Sequence, residues 1–175
     1  MIVENLLPSH APDFQALRLR GLRESPHAFA SSFEEECDKS LDEVAARLAP
    51  NPYRAVFGAF GGSALIGVIG LKREEMQKLA HKAHFWGMYV VPEHRRDGVA
   101  RALVARALQH AFSFSMAGVR QVNLGVHAAN LPAIALYEAM GCRSFGLERD
   151  CMFVDGAFQD EMHMVYFKEF AQQDN

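Results

Sequence analysis

The chain has 175 residues, of which 50% are hydrophobic and 22% are charged, and its formal net charge is −3. This length suits one domain with a sizeable core, and this composition is typical of a soluble globular protein. The small negative charge and the lack of a basic run argue against a nucleic-acid partner. We therefore expect a single domain over residues 1–175.

The sequence contains no pattern typical of a transmembrane helix, a signal peptide or a metal site. No apolar stretch approaches the roughly 20 residues of a transmembrane helix, and the N-terminal residues lack the pattern of a signal peptide. Cys37, Cys142 and Cys151 are irregularly spaced, which favours free thiols in a reducing compartment. The histidines form no pair with zinc-binding spacing. We expect a cytoplasmic protein with no membrane partner and no metal.

The first 50 residues are predicted to hold one short strand and two helices. The strand lies within residues 2–7. A helical pattern starts at Asp13 and ends before Pro26, because proline disfavours helix in the residue before it. Ser40 starts a capping box for a second helix, which runs through Leu48.

The middle of the chain is predicted to be mainly β-structure. Residues 53–60 and 63–71 are rich in strand-forming residues, and Gly61-Gly62 between them indicates a hairpin. The glycines here do not form a GxGxxG motif before a helix, which excludes a dinucleotide-binding Rossmann unit. Residues 72–82 are predicted to be a connection or short helix, and His84–Val91 the next strand.

After that strand the sequence indicates a turn and a long helix. The turn carries Arg95, Arg96 and Gly98, and apolar residues then recur at helical spacing to about Met116. A helix N-terminus has unpaired N–H groups and a partial positive charge, so phosphates bind there. The alternative interpretation is a surface turn with two solvated arginines.

The last third is predicted to continue with a strand, a helix and two strands. Residues 120–127 alternate with period two, which is typical of a strand. Asn130 is predicted to cap a helix that has Pro132 in its first turn and Gly141 after its end. The two further strands, with a turn at Asp155-Gly156 between them, are predicted at Phe145–Arg149 and Glu161–Lys168.

Two motifs resemble those of the GNAT superfamily of N-acetyltransferases. Arg95-Arg96-Asp97-Gly98-Val99-Ala100 is similar to its acetyl-CoA diphosphate loop, Arg/Gln-x-x-Gly-x-Gly/Ala. Residues 130–142 resemble its next signature, with Ala133, Leu136, Tyr137 and Gly141 at the expected positions and Cys142 where phenylalanine is usual. The resemblance extends from the first helix through the Asp155-Gly156 turn. It implies an α/β fold: a mixed, twisted sheet of six or seven strands, helices on both faces, and an acyl-CoA cleft between splayed central strands.

The resemblance implies an acetyl-CoA-dependent N-acetyltransferase that acts on a primary amine. It gives the general-acid role to Tyr137, which shares a helix face with Asn130 seven residues earlier. The residues that it assigns to acetyl-CoA are Tyr89, Val90, Val91, Arg95, Arg96, Asp97, Gly98, Val99, Ala100, Arg101, Asn130, Ala133 and Tyr137. Two of them depart from the usual pattern: Arg96 replaces a glycine, and Asp97 stands where a basic or polar residue is common. We expect Asp97 to cap the helix or to pair with Arg101, away from the ligand.

The base and the acceptor are less determined. His127, His84 and the acidic run 34–36 are candidates for the general base, and His127 comes first because it lies close to Asn130. The acidic run is otherwise predicted to be a solvated face. An amino acid, a polyamine, an aminoglycoside-like compound or a protein N-terminus could be the acceptor. Aromatic and acidic residues in segments 21–40 and 153–160 favour a small cationic amine.

Three alternatives stay open at the level of sequence. The chain could be a coenzyme A-binding module without catalysis, although Asn130 and Tyr137 argue against that. It could transfer a longer acyl group, because the loop recognises only the diphosphate. A homodimer is possible, since two-fold dimers are common among proteins with this resemblance.

Overall fold

The structure, a computed structural model, describes residues 1–113 and 118–168. The strands in these residues are β1 (Ile2–Asn5), β2 (Arg54–Gly61), β3 (Ala64–Arg73), β4 (Lys82–Val90), β5 (Gln121–His127), β6 (Arg143–Val154) and β7 (Ala157–Phe167). The α-helices are α1 (Ala11–Glu24), α2 (Phe33–Cys37), α3 (Leu41–Leu48), α4 (Val99–Ala111) and α5 (Leu131–Ala139). No helix within the described ranges is long and apolar enough to cross a membrane.

The strands form one mixed sheet with the order β1-β2-β3-β4-β5-β7-β6. Neighbouring strands are antiparallel except β4 and β5, which are parallel. A parallel pair needs a crossover connection, and α4 provides it. This confirms the predicted mixed sheet of six or seven strands, and the number in the described residues is seven. The insertion of β7 between β5 and β6 does not follow from the order of the elements along the chain.

Helices cover both faces of the sheet, as predicted. Tyr89 and Val90 are consecutive in β4, so their side chains point to opposite faces. The Tyr89 ring packs against Gly21 of α1, whereas Val90 lies beside Gly67 together with Leu103 of α4. The core between these layers includes the fully buried residues Phe14, Phe57, Ile69, Leu71, Leu103, Val104 and Met164.

Residues 74–81 form a turn, which agrees with the predicted connection. The elements differ from the sequence predictions in three places. Helix α2 is a third helix in the first 50 residues, where two were predicted. The helix predicted to reach Met116 ends at Ala111, and Met116 itself lies outside the described residues. Strands β6 and β7 have 12 and 11 residues, longer than predicted, because bulges let β6 continue through a charged segment that breaks the simple alternation.

Candidate active site

A cleft opens where the two parallel strands separate. β4 and β5 pair over three residue pairs that end at His84 and Asn123. Immediately after these pairs β4 carries a bulge, in which Gly87 has a φ of 61°. The cleft between the separated strands has a volume of about 680 Å³.

Most of the residues predicted to bind acetyl-CoA or to take part in catalysis line this cleft. The predicted residues in its lining are Tyr89, Val90, Arg95, Arg96, Gly98, Val99, Ala100, Arg101, His127, Asn130, Ala133 and Tyr137. The loop before α4, the end of β5 and the first turns of α5 therefore meet around one cavity, although they are far apart in the sequence.

The N-terminus of α4 faces this cavity with a glycine at its cap. Gly98 is the N-cap residue, has a φ of 80°, and offers no side chain to the helix. The first N–H groups of an α-helix have no partner within the helix, so those that follow Gly98 are free to bind an anion. Arg96, with a φ of 70°, also adopts the left-handed conformation. Alternating left-handed residues curve the chain into a concave set of N–H groups, a geometry that binds phosphates.

The side chain of Arg95 is held in place. Its Nε donates a hydrogen bond to the Val90 carbonyl oxygen at 3.1 Å, and its guanidinium carbon lies 5.8 Å from the centre of the Tyr89 ring. Arg96 next to it is exposed. The loop thus places two positive charges beside the helix N-terminus, and the contacts of Arg95 fix the position of one of them.

Val91 and Asp97 are the two predicted residues that do not line the cleft. The Val91 N–H donates to the Ile66 carbonyl oxygen of β3 at 3.0 Å, so it has no hydrogen bond to offer a ligand. The Asp97 carboxylate lies 3.5 Å from Nδ1 of His94. The predicted capping by Asp97, or its pairing with Arg101, is therefore wrong, because Gly98 takes the cap position and His94 is the nearer partner.

The hydrogen bond of Val91 also orients the rest of the strand end. Since N–H groups alternate between the two edges of a strand, the Val90 N–H points away from β3 and toward the gap. Among the residues that the structure describes, no strand pairs with this edge of β4 beyond His84. The Val90 N–H is thus available to stabilise negative charge in the cleft.

Tyr89 links the cleft to α1. Its hydroxyl donates to the Glu24 carboxylate at 2.5 Å. Burial, followed by this hydrogen bond, raises the pKa of Tyr89 to about 12. Arg20 binds both Glu24 and Glu93 at 2.7 Å, so α1 is tied to the loop that carries the arginines.

Helix α5 contributes its cap and one buried tyrosine. The Asn130 side chain accepts a hydrogen bond from the Ala133 N–H at 3.3 Å and caps the helix as predicted. Two turns later the Tyr137 hydroxyl donates to the Met88 sulfur at 3.0 Å. Burial raises the pKa of Tyr137 well above its ordinary value, which keeps its hydroxyl protonated at neutral pH. Thioether sulfur is a weak acceptor, so little is lost when this proton is offered elsewhere.

The candidate bases occupy very different surroundings. His127 lines the cleft, bonds through Nε2 to the Gln159 side-chain oxygen at 2.9 Å, and stacks on His27. His84 lies where β4 and β5 are still paired, 3.0 Å from the Glu74 carboxylate, and is not part of the cleft lining.

The acidic run of α2 is only partly the solvated face that we predicted. Glu34 and Glu35 are exposed, but Glu36 is buried and binds Lys39 at 3.0 Å and Arg47 at 3.1 Å. Burial alone would raise the pKa of Glu36, but these cations and Arg18 hold it below its ordinary value. A neutralised carboxylate of this kind can neither act as a base nor attract a cation.

Sequence analysis missed two charged residues beside the cleft. Arg18 of α1 lies against Gly87, and Glu161 of β7 lies against Gly125. Both glycines line the cleft. No local motif contains either pair, because 69 residues separate the first pair and 36 the second. The only signals were an arginine on the apolar stripe of α1 and an acidic residue in a strand.

Glu161 also belongs to a group of possible metal ligands. One ligand atom each of Glu148, Cys151 and Glu161 lies within 4.8 Å of the other two. His163 approaches both carboxylates, at 2.8 Å from Glu148 and 3.8 Å from Glu161. Acidic side chains commonly lie together at a surface without a metal, and we assign none to this group.

Comparison with known proteins gives one family. The family model described as acetyltransferase (GNAT) family matches residues 19–142. A spermidine N(1)-acetyltransferase of Vibrio cholerae is 32% identical over 84 residues, which cover 48% of this chain and 47% of that relative. The match thus spans about half the length of this curated relative.

Solved structures share the fold across nearly the whole chain. An acetyltransferase of the GNAT family from Streptococcus pneumoniae superposes with a TM-score of 0.86 at 18% identity and covers 95% of this chain and 99% of its own. An acetyltransferase from Salmonella typhimurium, described as putative and solved with its cofactor acetyl-CoA, gives a TM-score of 0.78 at 16% identity, with 99% and 98% covered.

Proposed function

The chain belongs to the acetyltransferase (GNAT) family, and we propose that it transfers the acetyl group of acetyl-CoA to a primary amine. One observation carries the proposal: the cleft between β4 and β5 joins the glycine-capped N-terminus of α4 to the buried hydroxyl of Tyr137. A diphosphate bound at the first would direct a thioester toward the second.

Arg95, Arg96 and the N–H groups at the start of α4 would bind the diphosphate of acetyl-CoA. The pantetheine arm would then run between the separated strands, beside Asn130 and Ala133. Beyond His84, β4 has main-chain N–H groups at the edge that β5 does not pair within the described residues. These N–H groups suit the amide oxygens of such an arm, which otherwise would lose their hydrogen bonds to water.

The chemical step has three needs, and named groups suit two of them. The Val90 N–H can stabilise the oxyanion that forms when the amine attacks the thioester carbon. As the carbon–sulfur bond breaks, the Tyr137 hydroxyl can protonate the departing thiolate. Its present partner is the weak sulfur acceptor of Met88, so the proton is readily redirected.

His127 is our proposal for the third need, the removal of a proton from the amine. An amine with a pKa of ~10.4 is mostly charged at neutral pH and cannot attack. With Nε2 donating to the Gln159 oxygen, Nδ1 keeps its lone pair and can accept the proton, directly or through water.

The acceptor that we propose is a small amine that arrives in its charged form, in preference to a protein N-terminus. Glu161 and Glu148, near His127, support this choice, since their carboxylates attract an ammonium group. The name of the Vibrio cholerae relative, a spermidine acetyltransferase, agrees with it. Within the acidic run of α2, Glu36 does not support a cationic acceptor, because Lys39 and Arg47 neutralise its carboxylate.

Thiol release from acetyl-CoA tests the proposal directly. The purified chain is mixed with acetyl-CoA and a panel of small amines and peptides, and free coenzyme A is followed with a thiol reagent. We expect turnover with small amines and slower turnover with peptides. Calorimetric binding of coenzyme A without turnover on any acceptor would instead indicate a non-catalytic module. Faster turnover with butyryl- or hexanoyl-CoA would indicate a longer acyl group.

We also propose a cytoplasmic location and a homodimer. Cys37, Cys142 and Cys151 are all free thiols, which agrees with a reducing compartment. The edge strand β6 exposes Phe145 and Phe153, apolar side chains that a second copy could cover. Sedimentation equilibrium of the purified chain measures the second of these expectations.

A further inference from the structure

Two glycines that line the cleft, one on each separated strand, have side chains of opposite charge packed against them. These glycines are Gly87 of β4 and Gly125 of β5. A Cβ atom at Gly87 would lie 3.1 Å from Nη1 of Arg18, and one at Gly125 would overlap the Glu161 carboxylate. Each glycine therefore allows a charged side chain to lie directly against the strand.

Both charges lie on the face of the sheet that α1 covers. Arg18 is a residue of α1. Glu161 is the cross-strand neighbour of His127, whose ring stacks on His27 in the segment that follows α1. Paired residues of antiparallel strands project from the same face, so Glu161 shares the face of His127. Tyr137, with its partner Met88, lies on the opposite face with Val90, because residues 88 and 90 alternate with residue 89.

Arg18 has hydrogen-bonding capacity that the described residues do not use. Its side chain is only 8% exposed, and Phe29 and Trp86 cover it at 5.3 and 5.9 Å from their ring centres. Nη2 donates to Ser31 at 3.2 Å and lies 3.8 Å from Glu36. Within the described part of the chain, Nε and Nη1 have no hydrogen-bond partner.

Glu36 does not account for this buried charge. Lys39 and Arg47 already bind Glu36 at 3.0 and 3.1 Å, so three cations surround one carboxylate. A buried polar group without a partner is costly, and a buried charge more so. Nη1 of Arg18, which lies at Gly87, can therefore donate a hydrogen bond to an anionic oxygen from outside the described residues.

We propose that the acceptor carries a carboxylate as well as its amine, as a free amino acid does. Arg18 would bind the carboxylate through Nη1, the donor that lies at Gly87, and Glu161 would attract the ammonium group near Gly125. A hydrogen bond from a charged guanidinium to a carboxylate oxygen is among the stronger hydrogen bonds in proteins. This inference rests on the proposed acetyl transfer and narrows its acceptor to one class; a polyamine satisfies Glu161 but leaves Arg18 unpaired.

The test compares acceptors that differ only in the carboxylate. Leucine is paired with isopentylamine, tyrosine with tyramine, and lysine with cadaverine, and each amino acid is also offered as its amide. Acetyl-CoA is saturating, and kcat/KM for the acceptor is measured by thiol release. For at least one of the three pairs, we expect the kcat/KM of the amino acid to exceed that of both its decarboxylated partner and its amide by about tenfold or more, because a site built for a polar group rejects an analogue that lacks it.

Variants then assign the preference to Arg18. In Arg18→Met the ratio between acid and decarboxylated amine should fall to about threefold or less, and Arg18→Lys should keep part of it, since a charge remains without the fork. Arg47→Met is the matched control: it also removes a partner of Glu36, but Arg47 is not packed against Gly87, so the ratio should persist.

The outcomes separate this inference from the proposed function. Turnover of amines with no gain from the carboxylate in the wild-type chain would overturn the inference and leave acetyl transfer intact, as would amides that match the acids. That comparison needs no variant to fold. Absence of turnover with every amine, acid and peptide would overturn both.

Discussion

The two ends of the cleft are built in opposite ways. At α4 the groups that face the ligand are main-chain N–H groups and two arginines of one short loop, and Arg96 there is exposed. At the face covered by α1 they are side chains from separate elements, and Arg18 is buried. The first end depends on backbone conformation and the second on packed charges. We therefore expect conformational substitutions to impair the first end and charge deletions to impair the second.

The largest effect should come from the charge cluster that supports Arg18. Glu36→Gln leaves three cations, one of them buried, without their carboxylate. Breaking a buried ion pair costs more than breaking an exposed one, and because Lys39 and Arg47 are partly exposed we expect a loss of about 2–3 kcal/mol in the free energy of unfolding. Urea denaturation measures it, with Glu34→Gln, an exposed neighbour, as the control.

Comparing the wild type with Glu36→Gln at several pH values tests whether the charge of Glu36 is what stabilises the fold. The pKa of Glu36 is lowered in the folded chain, so its contribution is present above the ordinary carboxyl pKa of ~4.3 and is lost as the pH falls through the lowered value. The stability difference between wild type and Glu36→Gln should narrow on acidification below that range. A difference that is constant with pH would show that Glu36 acts by packing alone.

Tyr137 lies between the two ends and should affect chemistry without affecting either. Tyr137→Phe keeps the buried ring and removes only the hydroxyl that bonds to Met88. If this hydroxyl protonates the thiolate, kcat should fall by about tenfold or more while acetyl-CoA affinity stays within about twofold. Stopped-flow thiol release and calorimetry measure the two quantities. An unchanged kcat would reassign the residue to packing.

The raised pKa of Tyr137 also predicts how the rate should depend on pH. Because burial raises it, the hydroxyl stays protonated at and above the ordinary tyrosine pKa of ~10. The wild-type pH–rate profile should therefore show no loss from Tyr137 below that value. A large loss of kcat in His127→Gln, with acetyl-CoA affinity unchanged, would support His127 as the base.

The contrast between the two ends also explains what sequence could predict. The α4 loop and the Asn130–Tyr137 helix are contiguous motifs, so the sequence could predict that their residues lie together at one cleft. Arg18 and Glu161 lie beside the cleft only because a bulge at Gly87 and the insertion of β7 bring them there. Glu36 was misjudged for the same reason: its burial depends on Arg47 in α3, which no local pattern relates to it.

The end of the cleft at α4, which depends on backbone conformation, can be tested by substituting two comparable glycines. Gly98 and Gly62 have φ values of 80° and 64°, and an added Cβ at either would have no atom within 4 Å. Gly98→Ala and Gly62→Ala should therefore both lose about 1 kcal/mol of stability, from backbone strain alone. Only Gly98 caps α4, so only Gly98→Ala should weaken coenzyme A binding in calorimetry. Equal affinities for both variants would remove Gly98 from the diphosphate site.

Arg96→Gly should have the smallest effect of these substitutions, and it should change stability and coenzyme A affinity in opposite directions. It relieves a left-handed φ of 70°, but glycine also gains freedom in the unfolded chain, so the net stability gain should stay below about 1 kcal/mol. Coenzyme A binding should nevertheless weaken, by about threefold, because an exposed charge near the diphosphate is lost. Salt screens such a charge, so the affinities of wild type and Arg96→Gly should converge as ionic strength approaches ~1 M. Asp150→Gly is the control, because it relieves a similar φ of 54° at a position that does not line the cleft and should leave affinity unchanged at any salt concentration.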